Sequence, residues 1–183
     1  MVPSAGGADL RVRCTDRLSS RAGSSTYDRL FTEALIRPGL DPARWGNRAN
    51  YAALNLVPTG PDEVSLYHRS GDRYVFRLDG FVAVHAGSAE GQLLTKPITF
   101  TGRELVLNFS TGAVGGIRVE LQSPAGEPLR GFSLDDCTLE YGDSTERVLR
   151  WKGGDLTAIA GTPVRLRFAL TECDLYSFRF RMP

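Results

Sequence analysis

Residues 164–168, with the sequence VRLRF, alternate apolar and arginine side chains, and residues 176–180, YSFRF, repeat the pattern. Side chains two apart on a β-strand share a face, so each segment has one apolar face and turns its arginines the other way. The two segments predict a pair of strands that close the protein. Short strands of the same kind recur from residue 102 onward, among them residues 104–109, 116–122 and 129–134, and they are separated by turns rich in glycine and proline. The sequence therefore predicts an all-β fold, a jelly-roll-like antiparallel β-sandwich.

The rest of the chain predicts an extension before the sandwich. Residues 1–25 consist largely of Gly, Ala, Ser and Arg, without the apolar stretch of a secretory signal or a membrane span, and they predict a disordered tail. Residues 26–90 predict an N-terminal hairpin and loop segment, with a strong turn signal at Asp79-Gly80. Residues 91–183 are then the sandwich domain. The chain length of 183 residues suits this division.

The charge distribution argues against nucleic-acid binding, and the cysteine spacing argues against a zinc site. The chain has 22 basic and 21 acidic side chains, and the basic ones are scattered, so we expect no nucleic-acid partner. Its three cysteines, Cys14, Cys137 and Cys173, lie far apart and have no histidine near them in sequence, which argues against a zinc cluster. Cys137 and Cys173 either pair across two strands or remain as two buried thiols, and we favour the second interpretation.

Several short pieces of the chain resemble a known family. Residues 102–111 (GRELVLNFST), 116–122 (GIRVELQ), 148–151 (VLRW) and 175–178 (LYSF) resemble the C-terminal β-sandwich of large bacterial proteins related to glycoside hydrolase family 32. Residues 37–45, 58–63 and 77–81 look like the end of the five-bladed propeller that precedes it.

This resemblance implies an accessory role. In that family the catalytic carboxylates lie in earlier propeller blades, which have no counterpart in this sequence, so it implies a non-catalytic, carbohydrate-associated module. It also implies an extracellular or periplasmic location, although the chain shows no export signal. Glu172-Cys173 and Asp41-Pro42 mimic short motifs of those enzymes. Glu172 falls in a predicted turn between the closing strands, so we do not expect it to be catalytic.

Two tryptophans with neighbouring arginines are the candidate ligand-binding residues. Trp45 with Arg37 and Arg48 could rim a sugar site, because an indole face stacks on sugar CH groups and guanidinium groups bind hydroxyls or carboxylates. Trp151, beside Arg150, could form a second stacking platform. The alternatives are that Trp45 anchors a loop and that Trp151 fills the core.

Other polar residues carry weaker hypotheses. We expect no cofactor, although the loop residues Asp135, Asp136 and Asp143 could hold a structural calcium ion. His68 and His85 have no serine in a nucleophile turn near them and do not predict a hydrolase triad.

Two alternatives to the accessory module remain open. One is a structural or protein-interaction domain, because a truncated blade would leave strand edges that pair with a second copy or with a parent propeller. The other is an intact glycosidase with a minimal site among Asp41, Glu63 and Asp79.

Overall fold

The structure is a computed structural model that describes residues 20, 23–29, 34–37, 39–42, 51–69 and 71–182. Within these residues the chain forms eight strands, one turn of 3₁₀-helix at Leu156–Ala158 and no α-helix. The strands make two antiparallel sheets, which confirms the prediction of an all-β sandwich class. The strands are β1 (Val57–Pro58), β2 (Glu63–Tyr67), β3 (Arg73–Arg77), β4 (Val84–Ala86), β5 (Gly91–Leu94), β6 (Glu104–Gln122), β7 (Asp143–Leu149) and β8 (Arg165–Arg181).

The described residues fall into two compact units. The first ends at Phe76 and contains the three-stranded sheet in the order β1-β2-β3. The second begins at Arg77 and contains a five-stranded sheet in the order β4-β8-β6-β7, with β5 also paired to β8. β4 belongs to the hairpin segment in the sequence analysis, and in the structure it pairs with β8 in the second unit. No helix of the described residues is long and apolar enough to span a membrane.

Within the first unit, Arg73 on β3 is bonded to two residues of β2 and to Thr59, which follows β1. Its guanidinium donates to the Glu63 carboxylate at 2.6 Å, to the Ser65 hydroxyl at 2.8 Å and to the Thr59 hydroxyl at 3.0 Å. The groups are partly exposed, so the network contributes modestly to stability. The Glu63 carboxylate is therefore bonded to Arg73 and helps to hold the small sheet together.

The second unit is built on two strands that are much longer than predicted. Residues 104–109 and 116–122, predicted as two strands, form the single strand β6, and the two closing segments form the single strand β8. The two strands pair along almost their whole length, with register shifts between Asn108 and Phe109 and between Thr111 and Gly116. The predicted breaks are therefore β-bulges, which bend a strand without ending it. The predicted strand at 129–134 is also wrong, because these residues form turns.

One hydrophobic core joins both halves of this long ribbon. Alternate residues of β6 and β8 point inward on both sides of the bulges and contact the same cluster. From β6 they are Leu105, Leu107, Phe109, Ile117, Val119 and Leu121, and from β8 they are Leu166, Phe168, Leu170, Cys173 and Leu175. Because each of these side chains is at most 3 % exposed, the ribbon and its core form the scaffold of the second unit.

The two described cysteines are part of this core. Cys137 and Cys173 are both free and buried, which confirms the interpretation as buried thiols and excludes a disulfide between them. Burial raises the pKa of each thiol to about 11, because the thiolate would lose its hydration. Cys14 lies outside the described residues.

Candidate functional site

Trp151 is held in a fixed orientation at the end of the sheet. It follows β7 and forms an isolated bridge with Cys137. Its indole Nε1 donates a hydrogen bond to the Val119 carbonyl at 2.8 Å, and its ring meets Phe132 edge to face with centroids 5.4 Å apart. The ring is partly buried and packs against the core, while Leu149 is fully within it. These contacts fix the indole, and its remaining surface lines an open groove.

We call this concavity the Trp151 groove. Leu105 pairs with Leu149, so the residues just before β6 and just after β7 meet at one end of the sheet. The start of the 3₁₀ turn lines the groove beside these two segments. The groove has a volume of about 340 Å³, and its lining includes Trp151, Leu156, Arg103, Arg150, Glu104 and Asp155. It thus combines an apolar wall with charged groups, as small-molecule sites do.

The acidic groups of the groove already have partners. The Glu104 carboxylate accepts a hydrogen bond from Arg181 Nε at 2.9 Å. The Asp155 carboxylate accepts one from the Thr157 amide at 2.9 Å and caps the 3₁₀ turn. Hydrogen bonds from Thr157 and the nearby Arg103 charge lower the pKa of Asp155, so this carboxylate is ionised at neutral pH.

The two basic side chains of the groove, by contrast, make no such hydrogen bonds. Arg103 and Arg150 are exposed, and among the described residues neither guanidinium donates a hydrogen bond or forms an ion pair. Beside a fixed indole, two such guanidinium groups can bind hydroxyl or anionic oxygens.

A second concavity, which we call the outer cleft, lies over β4, β6 and β8. It is lined by His85, Ser110, Gly112, Glu172 and Asp174, among others. His85 Nδ1 lies 2.8 Å from an Asp174 carboxylate oxygen. His85 pairs with Asp174 on one side of β8 and Ser110 pairs with it on the other, so Asp174 stands between the imidazole and the hydroxyl. A serine triad needs histidine in the middle, so this row cannot act as one.

Glu172 lies in this cleft and not in the predicted turn. It is within β8 and has a φ of 40°, a conformation that is rare for residues other than glycine. Its amide donates to the Gly87 carbonyl at 2.7 Å. A Cβ atom at Gly112 would stand 2.6 Å from the Glu172 Oε2 atom, so a larger residue there would displace the carboxylate from its place in the cleft. The turn prediction was wrong because the chain bulges here while it stays paired.

The other predicted binding residues are spread over the chain. Arg37 is exposed and lies in the first unit, whereas Trp151 lies in the second. Trp45 and Arg48 lie outside the described residues. The prediction for these three residues stays a prediction.

Two of the three aspartates of the calcium hypothesis have protein partners. Asp136 accepts a hydrogen bond from the Ser133 hydroxyl at 2.7 Å, and Asp143 forms an ion pair with Arg77. The described residues contain no group of three or more His, Cys, Asp or Glu side chains that could hold a metal ion. Asp79, a member of the minimal glycosidase hypothesis, accepts a hydrogen bond from Ser177 at 2.8 Å.

Two lining residues of the Trp151 groove, Arg103 and Asp155, were not predicted as site residues from the sequence. Arg103 lies almost fifty residues before Trp151, and no sequence pattern connects the two. Asp155 had a signal, since aspartate before a short helical turn, here preceded by Gly153-Gly154, is typical of an N-cap. A Cβ atom at Gly154 would stand 2.5 Å from the Phe132 ring, so this glycine lets the turn pack against the aromatic pair.

Comparison with known proteins adds no further evidence: no protein-family model, no curated protein and no solved structure matches the chain.

Proposed function

We propose that the protein is a non-catalytic carbohydrate-binding module that binds a glycan in the Trp151 groove. The observation that carries the proposal is the indole of Trp151, fixed by Val119 and Phe132 at the wall of an open groove. A fixed aromatic ring loses little conformational entropy when a sugar stacks on it, so the groove is preorganised for such a ligand.

The polar lining supports the same proposal. Sugar hydroxyls need donors and acceptors around an apolar surface, and the groove offers donors on Arg103 and Arg150 and acceptors on Glu104 and Asp155. The role of an accessory module agrees with the resemblance to the sandwich of proteins related to glycoside hydrolase family 32. The same resemblance leads us to propose that the protein is bacterial.

The proposed lack of catalysis rests on the described carboxylates. Glu63 and Asp79 are each bonded to a neighbouring side chain, and Asp174 is bonded to His85. Glu172 has no bonded partner for its carboxylate among the described residues, yet it lies in the outer cleft and not in the Trp151 groove.

A glycan array tests the proposal, with turnover assayed on every glycan that binds. We expect retention of at least one glycan without turnover, and loss of retention in Trp151→Ala. Trp45→Ala tests the other predicted stacking residue, and it should retain the glycan if the Trp151 groove is the site. Since Trp151 packs against the core, circular dichroism must show that Trp151→Ala is folded. If Trp151→Ala is unfolded, Trp151→Phe replaces it in the assay, because phenylalanine keeps an aromatic ring at this position. A blank array with folded wild-type protein would contradict the proposal, and turnover would contradict its non-catalytic part.

The second candidate function is a structural or protein-interaction domain that pairs through a strand edge. The observation that favours it is β7, which lies at the edge of the five-stranded sheet and is paired on one side only within the described residues. Unpaired edges recruit further strands, and β7 is seven residues long. Light scattering over a range of concentrations tests this candidate. A dimer would support it, and a monomer at every concentration would exclude self-pairing through β7.

A further inference from the structure

We infer that the Trp151 groove selects glycans that carry an anionic substituent, a carboxylate or a sulfate group, and that Arg103 and Arg150 bind this group. The inference rests on the proposed function and adds the ligand class to it. It starts from the difference between the acidic and the basic groups of the groove.

The charges of the groove leave a positive excess. Glu104 shares Arg181 with Glu146, which also pairs with Arg179, so these two acidic and two basic charges cancel. Arg103 and Arg150 remain against the single charge of Asp155, which leaves one positive charge. The Asp155 carboxylate is already bonded to the Thr157 amide. A neutral glycan would leave the positive excess uncompensated, whereas an anionic group would neutralise it.

The chemistry of arginine matches such a group. A guanidinium donates two parallel hydrogen bonds to a carboxylate or a sulfate, and charged hydrogen bonds are about twice as strong as neutral ones. Neither guanidinium donates a hydrogen bond to a protein acceptor among the described residues, although Arg103 lies near the Asp155 charge. Both lie at the end of the sheet where Trp151 forms the wall, so one sugar can stack on the indole while its anionic group meets a guanidinium.

Matched pairs of glycans test the inference on the full-length chain. An array should carry uronate oligosaccharides beside their methyl esters, and sulfated oligosaccharides beside their desulfated forms. We expect the acidic member of at least one pair to bind roughly tenfold more tightly at low salt, the effect of one charge-assisted contact. The advantage should shrink at high salt, because the groove is open to solvent. The two kinds of pair separate carboxylate from sulfate recognition.

Variants assign the effect to the two arginines. Arg103→Gln and Arg150→Gln should each remove most of the preference for the acidic member. Arg118→Gln is the matched control, because Arg118 is also exposed, lies on β6 in the same unit and is not part of the groove. Arg150→Lys should retain part of the preference, since lysine keeps the positive charge but cannot donate the two parallel hydrogen bonds of a guanidinium.

The outcomes separate the inference from the proposed function. Equal binding of both members of every pair, with loss in Trp151→Ala, would overturn the inference and leave the proposed function standing. An equal loss in Arg118→Gln would overturn it as well, because the effect would then be one of net charge. If no glycan binds, neutral or acidic, both fail.

Discussion

Gly115 is a position where a single added methyl group should destabilise the scaffold of the second unit. It lies in the second bulge of β6, and a Cβ atom there would stand 2.5 Å from the Glu172 carbonyl oxygen and 2.6 Å from the Thr171 carbonyl oxygen. Both oxygens belong to the backbone of β8, which is paired with β6 on either side of the bulge. Neither can move away without disturbing that pairing.

The expected cost of Gly115→Ala follows from these contacts. Overpacking in a well-packed site costs about 1–3 kcal/mol, and a disturbed ladder hydrogen bond adds about 1 kcal/mol. Replacing glycine by alanine also stabilises the folded state by about 0.4–1 kcal/mol, because it lowers the conformational entropy of the unfolded chain. The net loss is therefore about 1–3.5 kcal/mol, a sizeable part of the roughly 5–15 kcal/mol stability typical of a domain.

Urea denaturation followed by circular dichroism measures this loss, with Gly153→Ala as the matched control. A Cβ atom at Gly153 would have no atom within 4 Å, so this variant should match the wild type within about 0.5 kcal/mol. The midpoint of Gly115→Ala should fall while the m-value stays unchanged. Equal stability of the two alanine variants would refute the account of the bulge.

Three further predictions follow from the core and from the shifted pKa values. Phe168→Ala should destabilise the protein by about 3–5 kcal/mol in the same urea assay, since Phe168 is fully buried, and a loss under about 1 kcal/mol would contradict the described core. Cys137 and Cys173 should resist iodoacetamide when folded and react in urea, as mapped by mass spectrometry. Their raised pKa values of about 11 give stability that is present below pH 9.0 and lost as the pH rises toward 11, so a urea midpoint constant over that range would count against burial. Hydrogen bonds from Arg181 lower the pKa of Glu146, so its NMR titration should have its midpoint below 4.5 and should move up in Arg181→Gln; stability from this pair is present above pH 4.5 and is lost as the pH falls, and an unchanged midpoint would disprove the pairing.

The alternating pattern predicted the fold class because it follows from local geometry. At residues 164–168 the apolar side chains face the core, as the period of two requires. At residues 176–180 Phe178 and Phe180 pack against the core, but the prediction fails for Tyr176, because the bulge leaves it unpaired and Leu175 points inward instead. The same pattern could not show that the two segments are one strand. Residues 171–174 are polar and resemble a turn, but the full-length pairing with β6 keeps them in the sheet through a bulge. Tertiary pairing thus decided where the strands end.

The candidate site was predictable only in part, for a similar reason. Trp151 could be singled out as a large aromatic residue beside an arginine. Alternation placed it with Leu149 in the core, yet β7 ends at Leu149, so Trp151 escapes full burial and lines the groove. Arg103 joins the groove through the pairing of β6 with β7. Such a groove is assembled from residues that are distant in sequence, so no local pattern could predict it.

The most direct test of glycan binding in the Trp151 groove is an NMR titration of the indole N–H signals. The chain has two tryptophans, so the spectrum holds two such signals, and Trp45→Phe assigns them. Titration with a glycan retained on the array should shift the Trp151 signal progressively to saturation, because its N–H is fixed beside the stacking surface. A glycan that binds while the Trp151 signal stays unmoved would contradict the proposed site.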